Sequence, residues 1–388
     1  MDFALTEEQE AICAAVGSIC EGFDDEYWAE RDRSGVFPHD FYKALADGGW
    51  LGICTSEAQG GSGLGITEAA LMMRTISESG AGMTGASAVH INIFGLNPVA
   101  VFGTDDQRER MNRPMAAGRE KACFAVTEPN TGLNTTQLKL QAKKKGDKYV
   151  VNGQKVWIST AQEADMILVL ARTTPMDEVK KATHGLSLFY TPFNRETIRV
   201  REIEKMGRKA VDSNELFFED FEIPEADLIG EEGKGFEYIL HGMNPERIII
   251  AAEAIGLGML AVKRSAKYAN ERIVFNRPIG QNQGIQHPLA KCWAELEAAW
   301  MMVLAAAWQY DQGLPCGGAA NAAKYLAGEA GFTACETAVM THGGFGYAKE
   351  YHVERYLREV LIPRIAPISP QLCLSYLAER VLGLPKSY

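Results

Sequence analysis

The run Met243-Asn244-Pro245-Glu246-Arg247-Ile248-Ile249-Ile250 puts one carboxylate at the head of an apolar stretch that continues to Gly256. Proline is favoured at the first helical position, because its fixed φ suits the helix and its missing N–H had no partner there. Taking Pro245 as that position makes Asn244 the N-cap and sets Glu246 in the first turn. There the exposed backbone N–H groups and the positive end of the helix dipole favour an ionised carboxylate. The residues that follow are too continuously apolar for a solvated helix, so this turn faces protein or ligand. A carboxylate held in such a place is a candidate general base. The plainer alternative is a helix-start Glu paired with Arg247.

The elements that must position it follow from composition and pattern. A chain of 388 residues predicts two or three domains, and 46 % hydrophobic with 23 % charged side chains predicts a globular protein with a sizeable core. A net charge of −11 argues against nonspecific nucleic-acid binding, which needs basic surface to displace counterions. The eight cysteines form no C-x-x-C pair, which leaves zinc and thioredoxin-type readings without support. The start Met1–Glu8 lacks the basic and apolar parts of a signal peptide, and no uncharged apolar run reaches the roughly 18 residues of a membrane span. A reducing cytoplasm is the expected location.

Thr6 with Gln9 has the form of a capping box before a helical run. Helical spacing recurs over 42–51, 68–79 and 88–102, and the glycine-rich break 59–65 fits neither a dinucleotide fingerprint nor a P-loop. The pattern changes near Cys123. Residues 148–151 and 154–158 flank Asn152-Gly153, which predicts a hairpin with a type I′ turn. Strands are expected at 166–170, 186–190, 198–201 and 215–218. Helix then returns over 239–268, 283–311, 319–341 and 371–382, which predicts a four-helix bundle. The expected fold is α+β, with an N-terminal helical domain (1–117), a middle β-domain (118–230) and a C-terminal helical bundle (231–388).

Four motifs lie in order along this frame. Phe124-Ala125-Val126-Thr127-Glu128-Pro129-Asn130-Thr131-Gly132 comes first, followed by Asn152-Gly153-Gln154-Lys155-Val156-Trp157-Ile158-Ser159. Glu271-Arg272-Ile273-Val274-Phe275 leads to Arg277-Pro278-Ile279 and Gln283, and His342-Gly343-Gly344-Phe345-Gly346-Tyr347 precedes Tyr351-His352-Val353-Glu354-Arg355. Together they resemble the signatures of the acyl-CoA dehydrogenase family over essentially the whole chain.

The resemblance implies FAD between the β-domain and the bundle. Val126 and Thr127 would bond the pyrimidine side of the flavin, Trp157 would pack beside the ring and Ser159 would lie near N5. Arg272 of an adjoining subunit would meet the diphosphate, with Phe275, Gln283, Gly343 and Gly344 along the adenosine half. Ser369 and Gln371 fall on further FAD contacts, and Met243, Asn244 and Arg247 fall beside the pantetheine. Family chemistry removes the α-proton of an acyl-CoA thioester while the β-hydride passes to flavin N5, giving a 2,3-enoyl-CoA. The electrons then go to an electron-transfer flavoprotein.

Most members carry their base shortly after an Arg-Asp/Glu pair, and counting from Arg358-Glu359 that position is Pro367. Glu246 instead matches the early position of the isovaleryl-type and long-chain members. Pro367 lacks the backbone N–H that helps hold the thioester oxygen in the family, leaving Ile368 as the neighbouring donor. Leu133 and Asn134 replace a common Ser-Asp, and Met340 a common Gln. The departures at Pro367 and Leu133 motivate one alternative, a different flavin reaction such as an acyl-CoA desulfinase or oxidase; another is a non-catalytic subunit of a heteromeric complex. The family forms homotetramers.

Overall fold

The computed structural model describes residues 4–387; Met1 to Phe3, the first part of the N-terminal segment read above, lie outside the described residues. Helix α1 (Glu7–Cys20) opens with the expected capping box, as Thr6 Oγ accepts from Gln9 N–H and the Gln9 side chain accepts from Thr6 N–H. It is followed by α2 (Asp25–Ser34), α3 (His39–Asp47), α4 (Ile66–Ile76), α5 (Gly82–Phe94) and α6 (Asn97–Phe102). Helix α2 has no apolar periodicity to betray it; its N-cap Asp24 and the buried Trp28 hold it in place. The continuous helical stretch Ile66–Phe102 is long and apolar enough to cross a membrane, yet 61 % of its most apolar window is buried inside the protein.

The middle region is a sheet of eight strands: β1 (Ala122–Ala125), β2 (Gln141–Lys145), β3 (Lys148–Ser159), β4 (Met166–Arg172), β5 (Leu186–Pro192), β6 (Ile198–Glu202), β7 (Ser213–Pro224) and β8 (Leu228–Ile229). The order is β6-β7-β3-β2-β4-β5-β8, with β1 parallel to β4. Every residue of β4 is buried, as its unbroken apolar run requires.

The hairpin expected at Asn152-Gly153 does not form. Strand β3 runs straight through these residues because β7 pairs with it on both sides, Val151 opposite Phe221 and Gly153 opposite Phe218. The extra residue of this β-bulge lies on β7, where Asp220 holds φ 50° opposite Asn152, and the chain reverses earlier, at Gly146-Asp147 between β2 and β3.

Helix returns with α7 (Gly235–His241), α8 (Met243–Glu271), α9 (Gln283–Asp311), α10 (Gly317–His342), α11 (Val353–Glu359) and α12 (Pro370–Tyr376). Three long helices are joined by a short fourth, since α12 passes into a wider turn over Leu377–Val381. The N-terminal helices and the bundle share one apolar core that runs from Ile12 and Trp28 through Ile248 and Ile255 to Ala334. Helix α8 lies at its centre. A Cβ on Gly256 would collide with the Arg74 carbonyl at the end of α4, and one on Gly331 would come within 2.7 Å of the Ala254 carbonyl. Backbone therefore rests on backbone along α8 on two sides.

Candidate functional site

Glu246 lies near the start of α8, but the helix begins differently from the expectation. Met243 is the first helical residue and Gly242 before it is itself αR (φ −80°, ψ −7°), so Asn244 is not the N-cap and Pro245 is not the first helical position. The cause is α7, which runs almost unbroken into α8 and leaves no room for an extended capping residue. The Glu246 N–H already donates to Gly242 O at 3.2 Å. The orphan donors of this helix start thus lie on the residues before it.

The second correction concerns charge. Burial pushes the Glu246 carboxyl up to about 7, outweighing the opposite pull of His90 and Arg247. Its side chain keeps some solvent access, so it sits in a crevice rather than in the sealed core. A carboxyl poised near neutrality passes a proton in either direction at physiological pH.

Three elements meet at this crevice. On α8, Glu253 lies two turns below Glu246 and is buried. It meets His90 of α5, Oε1 to Nδ1, at 2.6 Å. Burial opposes charge on that imidazole, but Glu253, and Glu246 more weakly, raise its pKa above the ordinary value. One turn earlier on α5, Ser87 accepts from Arg208 Nη1 at 2.9 Å, while Arg208 Nη2 donates to Ser159 Oγ at 3.3 Å. Arg208 stands in the β6–β7 loop, so these two hydroxyls tie the sheet to α5. From α10, Lys324 Nζ donates to Ile368 O at 2.5 Å and acts on Glu246 through space. The Ile368 N–H is given to no acceptor among the described residues.

The residues read from the sequence divide into two groups. Met243, Asn244, Glu246 and Arg247 share the first turns of α8, where Arg247 Nη1 donates to Asn244 Oδ1 at 3.0 Å. Val126, Thr127, Trp157 and Ser159 make one patch: Val156 N–H donates to Thr127 O at 2.9 Å, and Lys155 Nζ to Val126 O at 2.7 Å. Ser369 caps α12, accepting from Leu372 N–H at 3.3 Å, and Gln371 beside it is exposed. Arg272, Phe275, Gln283, Gly343 and Gly344 lie past the far end of α8. Glu246 and Arg272 are 26 residues apart along the sequence, roughly 40 Å along a helix. Arg272 stacks over Phe345, 5.4 Å from its centroid, which joins the α8–α9 connection to the 343–347 turn.

Both groups fit a flat, polar cofactor. Trp157 holds φ 63° where the β3–β7 register breaks and is 60 % exposed; Phe275 holds φ 50° and is 94 % exposed. Positive φ in a bulky residue costs on the order of 1–3 kcal/mol and marks sites where strain serves a purpose. Added Cβ atoms at Gly343 and Gly344 would meet open space, and Thr131 Oγ is buried without a protein partner among the described residues. A separate cavity of about 320 Å³, lined by Asn92, Leu96, Asn97 and Tyr310, includes neither Glu246 nor Ser159.

Four side chains of the crevice were not singled out from the sequence: His90, Arg208, Glu253 and Lys324. Only Glu253 carried a signal, as a lone acid in the apolar run 248–255 at a spacing of seven from Glu246. His90 and Lys324 look like ordinary helix residues, and Arg208 like a turn residue.

Comparison with known proteins adds three family matches in order. "Acyl-CoA dehydrogenase, N-terminal domain" matches residues 6–119, the middle domain 123–221 and the C-terminal domain 233–381. The chain is 35 % identical to the acyl-CoA dehydrogenase FadE12 of Mycobacterium tuberculosis, over 100 % of this chain and 99 % of that protein. It is 32 % identical to a 3-(aryl)acrylate reductase of Clostridium sporogenes, over 92 % and 94 %. The butyryl-CoA dehydrogenase structure from Megasphaera elsdenii superposes with a TM-score of 0.93 at 28 % identity, over 98 % of this chain and 100 % of that one.

Proposed function

Because this chain belongs to the acyl-CoA dehydrogenase family, whose enzymes are FAD oxidoreductases, we propose that Glu246 takes the α-proton of an acyl-CoA thioester as it becomes a 2,3-enoyl-CoA. The observation that carries this reading is the Glu246 carboxyl itself, raised to about 7 among side chains of α5, α8 and α10. FAD, when bound, supplies the acceptor for the β-hydride.

The chain's own residues do the rest. Lys324 and Arg247 offset the charge of the ionised Glu246, and the His90–Glu253 pair keeps α5 and α8 in register beneath it. The free N–H of Ile368, its carbonyl pinned by Lys324, is the donor left for the thioester oxygen where Pro367 has none. Val126, Thr127, Trp157 and Ser159 would hold the ring, with Ser369 and Gln371 near it; Met243, Asn244 and Arg247 would flank the pantetheine. Arg272, Phe275, Gln283, Gly343 and Gly344, too far along α8 to serve the same flavin, would serve that of a second copy. This favours at least a dimer, and a homotetramer as in the family. An electron-transfer flavoprotein is the acceptor we assign, and a cytoplasmic location accords with both.

The test is anaerobic titration of the yellow holoprotein with acyl-CoA esters. Bleaching of the flavin band with enoyl-CoA formation is expected, and its absence with straight, branched, cyclic and aryl acyl chains alike would end the reading. A second direction is favoured by the likeness to an acrylate reductase: a carboxyl near neutrality can also protonate Cα while an enoyl thioester is reduced. Faster oxidation of reduced enzyme by enoyl-CoA than reduction by acyl-CoA would select it.

A further inference from the structure

Three arginines of the β-domain, Arg172 buried, Arg208 half-buried and Arg195 exposed, are bonded in different ways. Arg172 gives its N–H groups to the carbonyls of Leu138, His184, Thr136 and Ala182, and Arg195 to those of Ala161, Gln162 and Ala164. Both lace loops to strands, and carbonyls suffice for that. Arg208 touches no carbonyl and forms no ion pair among the described residues; its only partners are the hydroxyls of Ser87 and Ser159. Its Nε is buried without an acceptor. A guanidinium has five N–H bonds, so most of its donors are left over.

The position of these spare donors matters. Ser87 and His90 are successive turns of α5, and His90 responds electrostatically to both Glu246 and Arg208. Ser159 belongs to the patch assigned to the flavin ring. Through Ser159 the Arg208 head reaches the patch assigned to the ring, beside the proposed acyl site, while Glu253, Glu359 and Asp212 act on it through space. Leaving a buried donor unmade costs on the order of 1–3 kcal/mol, more for a charged group, and a planar fork of N–H bonds is the natural receptor for a carboxylate.

We propose that Arg208 is a specificity-determining residue that receives a carboxylate carried by the acyl chain, so that the favoured substrates are short dicarboxylyl thioesters. The inference rests on the acyl-CoA reading above and narrows its substrate. The chain must be short. Cβ approaches the hydride acceptor to about 3–3.5 Å, and Arg208 reaches Ser159 beside that point, which leaves room for roughly one or two further carbons before the carboxylate. Glu246 keeps its task unchanged, since the anion sits beyond Cβ and not at Cα.

The experiment compares glutaryl-CoA with valeryl-CoA, equal in length and differing in the terminal group. Dissociation constants are measured by calorimetry on the FAD-loaded protein, for wild type, Arg208→Met and Arg208→Lys. Flavin reduction is followed in parallel. Wild type is expected to bind glutaryl-CoA at least about tenfold tighter than valeryl-CoA. Arg208→Met should bring that ratio to one or below, and Arg208→Lys should keep part of it. Equal binding of the two esters by wild type, or an equal loss for both in Arg208→Met, would overturn the proposal. Should Arg208→Met fail to fold, the wild-type ratio and Arg208→Lys still decide. Binding that follows Arg208 with no flavin reduction by either ester would sink the dehydrogenase reading and leave the carboxylate receptor standing.

Discussion

Two buried charge clusters in this molecule are built on opposite principles. In the sheet, Glu128 accepts from Lys139 N–H at 2.7 Å, Leu140 N–H at 2.9 Å and Lys155 Nζ at 3.1 Å, and Lys155 gives a second bond to Val126 O. Burial pulls Lys155 down to about 8 against the pull of Glu128, but both Glu128 oxygens and two of the three Lys155 N–H bonds have partners. At the crevice, Arg208 Nε and the Ile368 N–H have no acceptor among the described residues, and Glu246 is raised toward neutrality by burial. A closed network specifies a fold, because any other arrangement leaves something buried and unpaired. An open one leaves polar groups that a ligand of matching chemistry can satisfy. The same signature segment, 124–132, feeds both: Glu128 faces the closed cluster, and Val126 and Thr127 border the open one.

Substitutions can break or sharpen this contrast. The largest effect belongs to the open side. Glu246→Gln and Glu246→Ala should purify yellow and lose on the order of 10²–10⁴-fold in the rate of flavin reduction by acyl-CoA, with no loss of melting temperature for Glu246→Gln at neutral pH; stopped-flow absorbance reads the first and calorimetry the second. The closed side should answer in stability instead. Removing one partner of a buried pair, as in Lys155→Met or Glu128→Gln, should cost about 3–5 kcal/mol in urea unfolding, and near-normal stability of either variant would erase the distinction.

The next effect is in pH. The folded Glu246 carboxyl lies above its unfolded value, at about 7, and the base must be ionised, so kcat/KM should fall about tenfold per pH unit below that point. By linkage the same raised carboxyl favours the folded state at low pH and loses that contribution as pH rises through about 7, which Glu246→Gln should abolish. His90→Gln removes a positive charge that holds Glu246 down and leaves Glu253 unpaired, and both changes push the acid limb to higher pH. A limb that stays put would detach His90 from the site. The smallest effect is at Ser369, whose hydroxyl caps α12; Ser369→Ala should cost about 1 kcal/mol of apoprotein stability.

What could be read from the sequence was local pattern and ordered motif. The capping box at Thr6, the buried strand at 166–170, the long helix 283–311 and the family signatures all depend on residues close together in the chain. What could not be read depended on neighbours supplied from elsewhere. Asn152-Gly153 has turn chemistry, but β7 pairing on both sides overrode it. Pro245 has helix-start chemistry, but α7 arrived first. The carboxyl of Glu246 was expected to be ionised by the helix dipole, and the walls of the crevice, which no local pattern shows, reversed the sign. His90, Arg208 and Lys324 became site residues only when α5, the β6–β7 loop and α10 converged on one another.

Helix α8 has its backbone pressed against α4 at Gly256 and against α10 at Gly331. A rod clamped at its middle by main chain on two faces has no slack for larger side chains there, and the end that carries the proposed base inherits that fixity. New substrate preferences in such a scaffold have to be written on the opposing bank, in α5 and the arginine-bearing loop. On the proposed reading, the carboxylate on α8 stays as the fixed mark from which every acyl chain is measured.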